Sequence, residues 1–408
     1  MHTLTLIIFA ITYCGIALGG IPGLAMDRTG IALLGAIAMV ATGILPMTEA
    51  LHAVDMPTIL LLYGLMIVSA QLRLGGFYTW SAMRIGTVVN RPRLFLVLMM
   101  LVSAVLSAVL VNDIVCLAFT PVIAVAVRAA GMNPIPFLLG LAVSSNIGSA
   151  ATIIGNPQNM LIGQVGNLDF GRFLLWCAPP SILSLAAAYG VIAWLYRDSF
   201  LSVRAPVRFE RLAEWPELNR HQSAKGVIAV VVLMALFFTH IPRELTVITI
   251  AGILMCSRRM HTRSILGLVD WHLITLFCGL FIVIRGIETT NLPQATLDWL
   301  VGAGINVHNL YALTGISVVL SNLVSNVPAV MVLVKFLNVH EPTQWYTLAL
   351  ASTFAGNLIT IGSIANLIVL EQARGQGIEI TFREHARTGI PVTLLSLLIT
   401  LAWCALCG

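Results

Sequence analysis

Apolar residues run along this chain in blocks too long for the interior of a water-soluble domain. A hydrocarbon core of roughly 30 Å is crossed by ~20 apolar residues in a helix. Blocks near that length cover residues 3–22, 29–46, 56–74, 136–165 and 173–196, then 226–241, 245–256, 273–287, 345–370 and 386–406. The pattern predicts an all-α polytopic membrane protein with about ten transmembrane helices. The pair of blocks flanking His240 and Pro242 is short; whether it crosses twice or dips and returns, the chain leaves on the same side.

Two further apolar stretches, 94–127 and 310–337, behave differently. The second has 28 residues, too few for two crossings and a turn, and its middle reads Ser325-Asn326-Val327-Pro328. A re-entrant hairpin accommodates that polar, helix-breaking centre if protein or a water-filled cavity surrounds the bend. Blocks 136–165 and 345–370 carry glycines and amides at their centres, which predicts two broken helices.

A polar segment from Arg197 to Lys225 divides the chain into near-equal halves, and the halves resemble each other. Val54-Asp55 followed by Gly64-Leu65 recurs as Val269-Asp270 followed by Gly279-Leu280. Leu106-Ser107 with Asn112 recurs as Leu320-Ser321 with Asn326, and Gly155-x-x-x-Asn159 as Gly362-x-x-x-Asn366. The chain is therefore read as a first repeat over 1–200, a cytoplasmic linker over 201–224 and a second repeat over 225–408. Each repeat holds an odd number of crossings plus one hairpin, so the second sits upside down relative to the first. Inverted repeats are a transporter architecture with sites near the midplane.

Composition narrows the class. Of 408 residues, 58% are hydrophobic and 10% charged, against roughly 25% charged in soluble domains. That excludes a cytosolic enzyme, a nucleic-acid binder and a disordered chain. The placement of the basic residues tests the layout. With the N-terminus outside, 18 of the 22 Lys and Arg fall inside, leaving Arg172, Arg243, Arg285 and Lys335 outside, as the positive-inside rule requires. Both termini are then outside and the linker is cytoplasmic, in an inner membrane. The first block has neither a basic n-region nor a small-residue cleavage site, so it is expected to be retained as a span. No G-x-x-x-x-G-K-[ST] occurs, so ATP hydrolysis by this chain is not expected.

The chemistry gathers at the hairpin tips and helix breaks. Asp113, after Asn112 in the first tip, is the acid set deepest in an apolar stretch. An ionised carboxylate at the bilayer centre costs ~2.5–3.5 kcal/mol on insertion scales, which makes it a functional candidate. It can carry a proton or ligate a cation such as sodium; a structural acid at the tip is the bland alternative. Downstream, Asn146, Thr152, Gly155, Asn156 and Asn159 crowd one broken helix, with Pro157 and Gln158 between. The second half repeats this with Asn357, Thr360, Gly362, Ser363 and Asn366. Unwound carbonyls and half-helix C-termini coordinate sodium, and half-helix N-termini favour anions. Single buried amides often only bridge helices; paired clusters beside two tips point to a site formed by these residues together with Ser325 and Asn326.

Elsewhere the bland readings prevail. Arg73 is expected to snorkel, Arg285 and Glu288 to form a local ion pair, and Lys335 to anchor the outer mouth of its hairpin. Cys404-x-x-Cys407 lacks a pocket for redox or metal chemistry, and the histidines show no zinc spacing.

On Asn112-Asp113 with Phe119-Thr120-Pro121, Asn146 through Asn159, Ser325-Asn326-Val327-Pro328 and Gly362-Ser363-Ile364-Ala365-Asn366, the sequence resembles the ion transporter superfamily. That group holds arsenite permeases, NhaD-type sodium/proton antiporters, citrate permeases and divalent anion/sodium symporters. The likeness runs from about Asp55 to the end and is strongest to the arsenite-permease branch and YbiR-like inner membrane proteins. It implies an elevator movement of hairpins and broken helices against a scaffold. It also implies one ion or substrate site shaped by Asn112, Asp113, Asn146 and Asn156, and a pseudo-symmetric partner shaped by Ser325, Asn326, Asn357 and Ser363. The symporters carry Ser-Asn-Thr at both tips. Here the tips read Val-Asn-Asp and Ser-Asn-Val, so dicarboxylate recognition with two sodium ions is not carried over.

The expected function is a secondary transporter of an anion or small oxyacid coupled to H+ or Na+, with a sodium/proton antiporter as the alternative. No enzyme activity and no cofactor are expected, beyond a sodium ion that Asn112, Asp113, Asn146 and Asn156 could hold. The partners are the substrate, the coupling ion and the bilayer, and a homodimer is compatible with the sequence.

Overall fold

In the computed structural model, the described residues are 2–20, 24–200, 216–290, 295, 302 and 306–407. Residues 201–215 of the expected linker, with Arg204, Arg208 and Arg211, lie outside them. Helices are the only regular structure among the described residues.

The first repeat comprises α1 (His2–Leu18), α2 (Arg28–Ala41), α3 (Met47–Ala53), α4 (Met56–Leu74), α5 (Phe77–Gly86), α6 (Pro92–Val109), α7 (Asn112–Ala129), α8 (Ile135–Ser149), α9 (Pro157–Val165) and α10 (Phe170–Leu195). The second comprises α11 (Arg220–Phe237), α12 (Arg243–Met255), α13 (Thr262–Leu266), α14 (Trp271–Glu288), α15 (Leu310–Val324), α16 (Asn326–Leu333), α17 (Pro342–Ala355), α18 (Ile364–Gly375) and α19 (Phe382–Cys407). Seven of these, α4, α6, α7, α10, α11, α14 and α19, are each long and apolar enough to cross a bilayer. The 13 residues of α12 reach only ~20 Å at 1.5 Å per residue. The arms of the first hairpin have 18 residues each, which is longer than a shallow re-entrant loop needs.

The repeated sequence signals have local causes. Asp55 and Asp270 are N-caps: their carboxylates accept from Thr58 N at 2.8 Å and Leu273 N at 2.9 Å. The glycine nine residues on is a contact point. A Cβ on Gly64 would stand 2.4 Å from Val247 Cγ1 in α12, and one on Gly279 would stand 2.9 Å from the Ala32 backbone in α2. Each repeat's α4 or α14 thus lies against the other repeat's second helix, at a spacing no side chain fits. Around these pairs α1 packs on α2, and α11 on α4 and α12, forming a frame.

The hairpins and broken helices form an inner bundle. There α6 packs on α8, α15 on α17, α7 on α18, and α10 on α19. Every residue from Pro136 to Ser149 in α8 is buried, as is every residue from Gln344 to Ala355 in α17. Helices buried all round have no lipid face; protein surrounds the breaks that follow them, which is the condition for interrupted backbone at membrane depth. Leu175, Ile182 and Trp194 of α10 and Leu398 of α19 point outward, where lipid covers them.

Candidate functional site

Four helices start and four end where the breaks and tips meet. The N-termini are those of α7, α9, α16 and α18; the C-termini are those of α6, α8, α15 and α17. At the first tip, Leu110 and Val111 are extended, and Asn112 N donates to Gly155 O at 3.2 Å. At the second tip, Ser325 has φ +76°, a conformation costing a non-glycine residue about 1–3 kcal/mol. With its amide nitrogen turned toward the acceptors, Asn326 donates to Gly362 O at 3.0 Å and Ser352 O at 3.1 Å. Gly155 and Gly362 are matched in the two repeats, so each tip asparagine hangs on the equivalent carbonyl of its own break.

The side chains then join the repeats. Asn146 is the hub. Its Oδ1 accepts from Asn112 Nδ2 at 3.3 Å and Ser363 Oγ at 2.9 Å; its Nδ2 donates to Asn357 Oδ1 at 2.8 Å and Asn366 Oδ1 at 3.1 Å. Thr353 is its counterpart, offset by the spacing that separates Gly155 from Gly362. Thr353 Oγ1 accepts from Asn156 Nδ2 and Gln158 Nε2, both at 3.3 Å, and donates to Asn159 Oδ1 at 3.5 Å. The asparagines at matched positions in the breaks brace the bent backbone. Asn159 Nδ2 donates to Thr152 O at 3.0 Å and Ser149 O at 3.3 Å, and Asn366 Nδ2 to Gly356 O at 2.7 Å and Ile359 O at 3.3 Å. Gly155 permits this fold-back, since a Cβ there would lie 2.2 Å from Ser149 O. Two buried polar atoms in the network have no partner among the described residues, Asn112 Oδ1 and Asn357 Nδ2. A buried orphan group of this kind costs about 1–3 kcal/mol.

The expected site residues divide as follows. Asn112, Asn146, Asn357, Ser363 and Asn366 form one connected cluster, where the resemblance implied two sites with Asn146 in one and Asn357 in the other. Asn156 turns away to Ser149 Oγ at 2.9 Å and to Thr353. Thr152 Oγ1 donates to Ala108 O and steadies the first hairpin. Asn159 and Gly155 shape the first break, Gly362 the second. Thr360 is half-buried in the short turn Thr360–Gly362, outside the hydrogen-bonded cluster.

Asp113 and Ser325 face cavities. Asp113 lines one of about 100 Å³ between the bundle and the frame, together with Arg73 of α4 and Asp270. The deep acid is thus not alone: a second carboxylate and a guanidinium share its cavity, and Arg73 turns inward where snorkelling was expected. Ser325 lines a cavity of about 410 Å³ with Asp27, Arg28, Asp270 and His272, and α1 reaches the same tip through Tyr13 OH, which donates to Pro328 O at 3.3 Å. Ser149 and Gln158 lay in the polar stretch of the first break without being singled out as site residues, and Thr353 escaped the sequence reading; carrying the Gly155-to-Gly362 spacing back to Asn146 would have found it. Lys335 pairs with Glu288 at 2.9 Å, and Arg285 with Glu288 at 3.3 Å and Glu49 at 3.9 Å.

The profile of the citrate transporter family, CitMHS, matches residues 4–355. The chain is similar to an uncharacterized transporter of Mycobacterium tuberculosis (29% identical; 92% of each chain). It is similar to the silicon efflux transporter LSI3 of Oryza sativa subsp. japonica (27% identical; 92% of each chain). Among solved structures, the Alcanivorax borkumensis YdaH transporter, reported to have an unusual topology, superposes with a TM-score of 0.57 over 99% of this chain and 97% of its own, at 12% identity. That last likeness is one of fold. These findings bear out the resemblance to the ion transporter superfamily; the family and the relatives are transporters, not enzymes.

Proposed function

The chain belongs to the citrate transporter family (CitMHS) and is a multi-pass membrane protein; from that premise we propose that it moves a small oxyacid or carboxylate across the inner membrane, coupled to H+ or Na+. The observation that carries this is the single network of neutral amides and hydroxyls linking the first tip to both breaks, with the second tip's Asn326 tied to the second break through Gly362 O and with Asp113 the ionisable residue at the first tip. Neutral donors and acceptors at this depth suit a hydroxyl-rich acid better than a multiply charged anion, for which the cluster offers no counter-charge. The relative named for silicon efflux is in keeping with such a cargo. In this reading the bundle slides as an elevator against the frame of α2, α4, α12 and α14, the basic loops are cytoplasmic and both termini lie outside.

Asp113 carries or balances the coupling charge, as a proton carrier or as a sodium ligand beside Asn112 Oδ1. Its shared cavity with Asp270 also favours a second reading, a sodium/proton antiporter in which Asp113 binds either cation in turn. Asp113→Asn in proteoliposomes under separate proton and sodium gradients tests both. Loss of gradient-driven accumulation with counterflow retained is expected for the coupled transporter; loss of all cation exchange, with no oxyacid flux in the unaltered protein, selects the antiporter. Unaltered transport and gradient dependence refute a coupling role for Asp113.

A further inference from the structure

Two arginines hold matched places in the repeats and do different things. Arg28 is the first residue of α2 and Arg243 the first of α12, the two helices that pack equivalently against α14 and α4. Arg243 reaches across from the frame to the bundle. Its Nη1 donates to Leu168 O at 2.8 Å, and its Nη2 to Gly163 O at 2.9 Å and Gln164 Oε1 at 3.2 Å, at the C-terminal end of α9. The adjacent Glu244 accepts from Gln164 Nε2 at 3.1 Å. Arg28 makes no such reach. Its Nε is buried without a partner among the described residues, and its side chain lines the 410 Å³ cavity that separates it from Ile364 and Leu367 of α18. Helix α18 is the counterpart of α9 in the second repeat, and the carbonyls matching Gly163 and Leu168 belong to Leu370 and Gly375.

We propose that Arg243 and Arg28 are alternating clamps: Arg243 holds the end of α9 while the bundle is closed on the outer face, and Arg28 takes the equivalent end of α18 when the bundle closes on the inner face. The proposal rests on the alternating-access reading above and names the residues that hold its two end states. Inverted repeats exchange conformations when the site changes sides, so a contact made by one repeat in one state is made by the other repeat in the opposite state. A guanidinium suits the role because its fork of donors can take two carbonyls at once, and a helix C-terminus offers unsatisfied carbonyls with partial negative charge. Both arginines line cavities, of about 500 Å³ at Arg243 and about 410 Å³ at Arg28. What distinguishes them is that Arg243 has its carbonyls and Arg28 leaves its Nε without a partner among the described residues, as a disengaged clamp would. With Arg243 the engaged clamp, the proposal assigns this structure to the inward-facing state.

The test uses the full-length protein in liposomes, with its seven cysteines replaced and one reporter added at a time. Met331→Cys reports a cavity of about 260 Å³ that Glu49, Glu288 and Lys335 also line, on the expected outer side. Leu367→Cys reports the 410 Å³ cavity of Arg28 on the inner side. Each is read by its rate of reaction with a membrane-impermeant maleimide added from its own side. Arg243→Gln is expected to raise the outer rate at least threefold and lower the inner rate. Arg28→Gln is expected to do the reverse. Arg243→Lys keeps the charge but loses the fork, and should fall between. Size-exclusion profiles confirm that the variants remain folded. Rates that rise at both reporters in both variants, or that do not change, overturn the clamps. Reaction at only one of the two reporters in every variant, with the other never labelled from its own side, overturns the alternating-access reading itself, and the clamps with it.

Discussion

Replacing Asn146 with alanine removes the hub of the central network. Four side-chain hydrogen bonds disappear, to Asn112, Ser363, Asn357 and Asn366. Asn366 keeps its bonds to Gly356 O and Ile359 O, whereas Asn357, whose Nδ2 is already unpartnered, is left without its bond to Asn146. Polar contacts between membrane helices average about 0.6 kcal/mol each, because the unpacked helices find other partners, so four of them sum to roughly 2–3 kcal/mol. Treating the four as fully desolvated orphans, at about 1–3 kcal/mol each, would give a far larger loss; the average for membrane helices already includes re-pairing of the freed groups, and the smaller value governs. Thermal unfolding in detergent should therefore show a Tm lower by about 3–5 °C, and transport in proteoliposomes should be lost although most of the fold survives. A double-mutant cycle with Asn357→Ala should be non-additive, since the two share one bond. A Tm within about 1 °C of the unaltered protein, with transport intact, would refute the network as the centre of the molecule.

Gly64→Ala should destabilise by about 1–3 kcal/mol through overpacking, and the added Val247→Ala should recover most of it, as measured by Tm; no recovery would remove the α4–α12 contact as the cause. Asp55→Ala and Asp270→Ala each delete an N-cap and should cost stability alike, by about 0.5–2 kcal/mol. Only Asp270→Ala should alter cation dependence in liposomes, because Asp270 also lines the cavity of Asp113; equal transport in the two variants would deny that link. Glu288→Gln releases Lys335 and should speed labelling of Met331→Cys from outside, an effect that high salt should reproduce in unaltered Glu288 by screening the half-exposed pair. The matched first-repeat positions hold Arg73 and Pro121 and cannot form this pair, so Arg73→Gln should leave the inner reporter's salt dependence unchanged.

Much of the fold was legible because lipid punishes exceptions. Long apolar blocks mark helices, and a glycine, proline or asparagine at the centre of such a block has to be explained by a break. The repeated Val-Asp and Gly-Leu pairs betrayed the duplication since a capping carboxylate and a Cβ-free contact are each required twice. Partnership was not legible. Asn146 binds Asn357 and Asn366, more than two hundred residues away, and nothing near Asn146 in the chain says which distant amide will meet it. Thr353 passed as an ordinary helix threonine because its hydroxyl could have bonded its own backbone. Arg73 passed as an interface residue because sequence gives its depth but not the direction of its side chain.

The encasement of α8 and α17 on every side bears on how the chain is made. Neither helix has a surface to offer the hydrocarbon, so neither is at rest in the bilayer until its neighbours arrive, and some of α8's neighbours are synthesised last. A polypeptide ending near residue 200 would leave Asn146 facing lipid or water and should be cleared by quality-control proteases. The same fragment, co-expressed with one starting near residue 216, has every missing surface supplied in trans, and the two should assemble into a working whole.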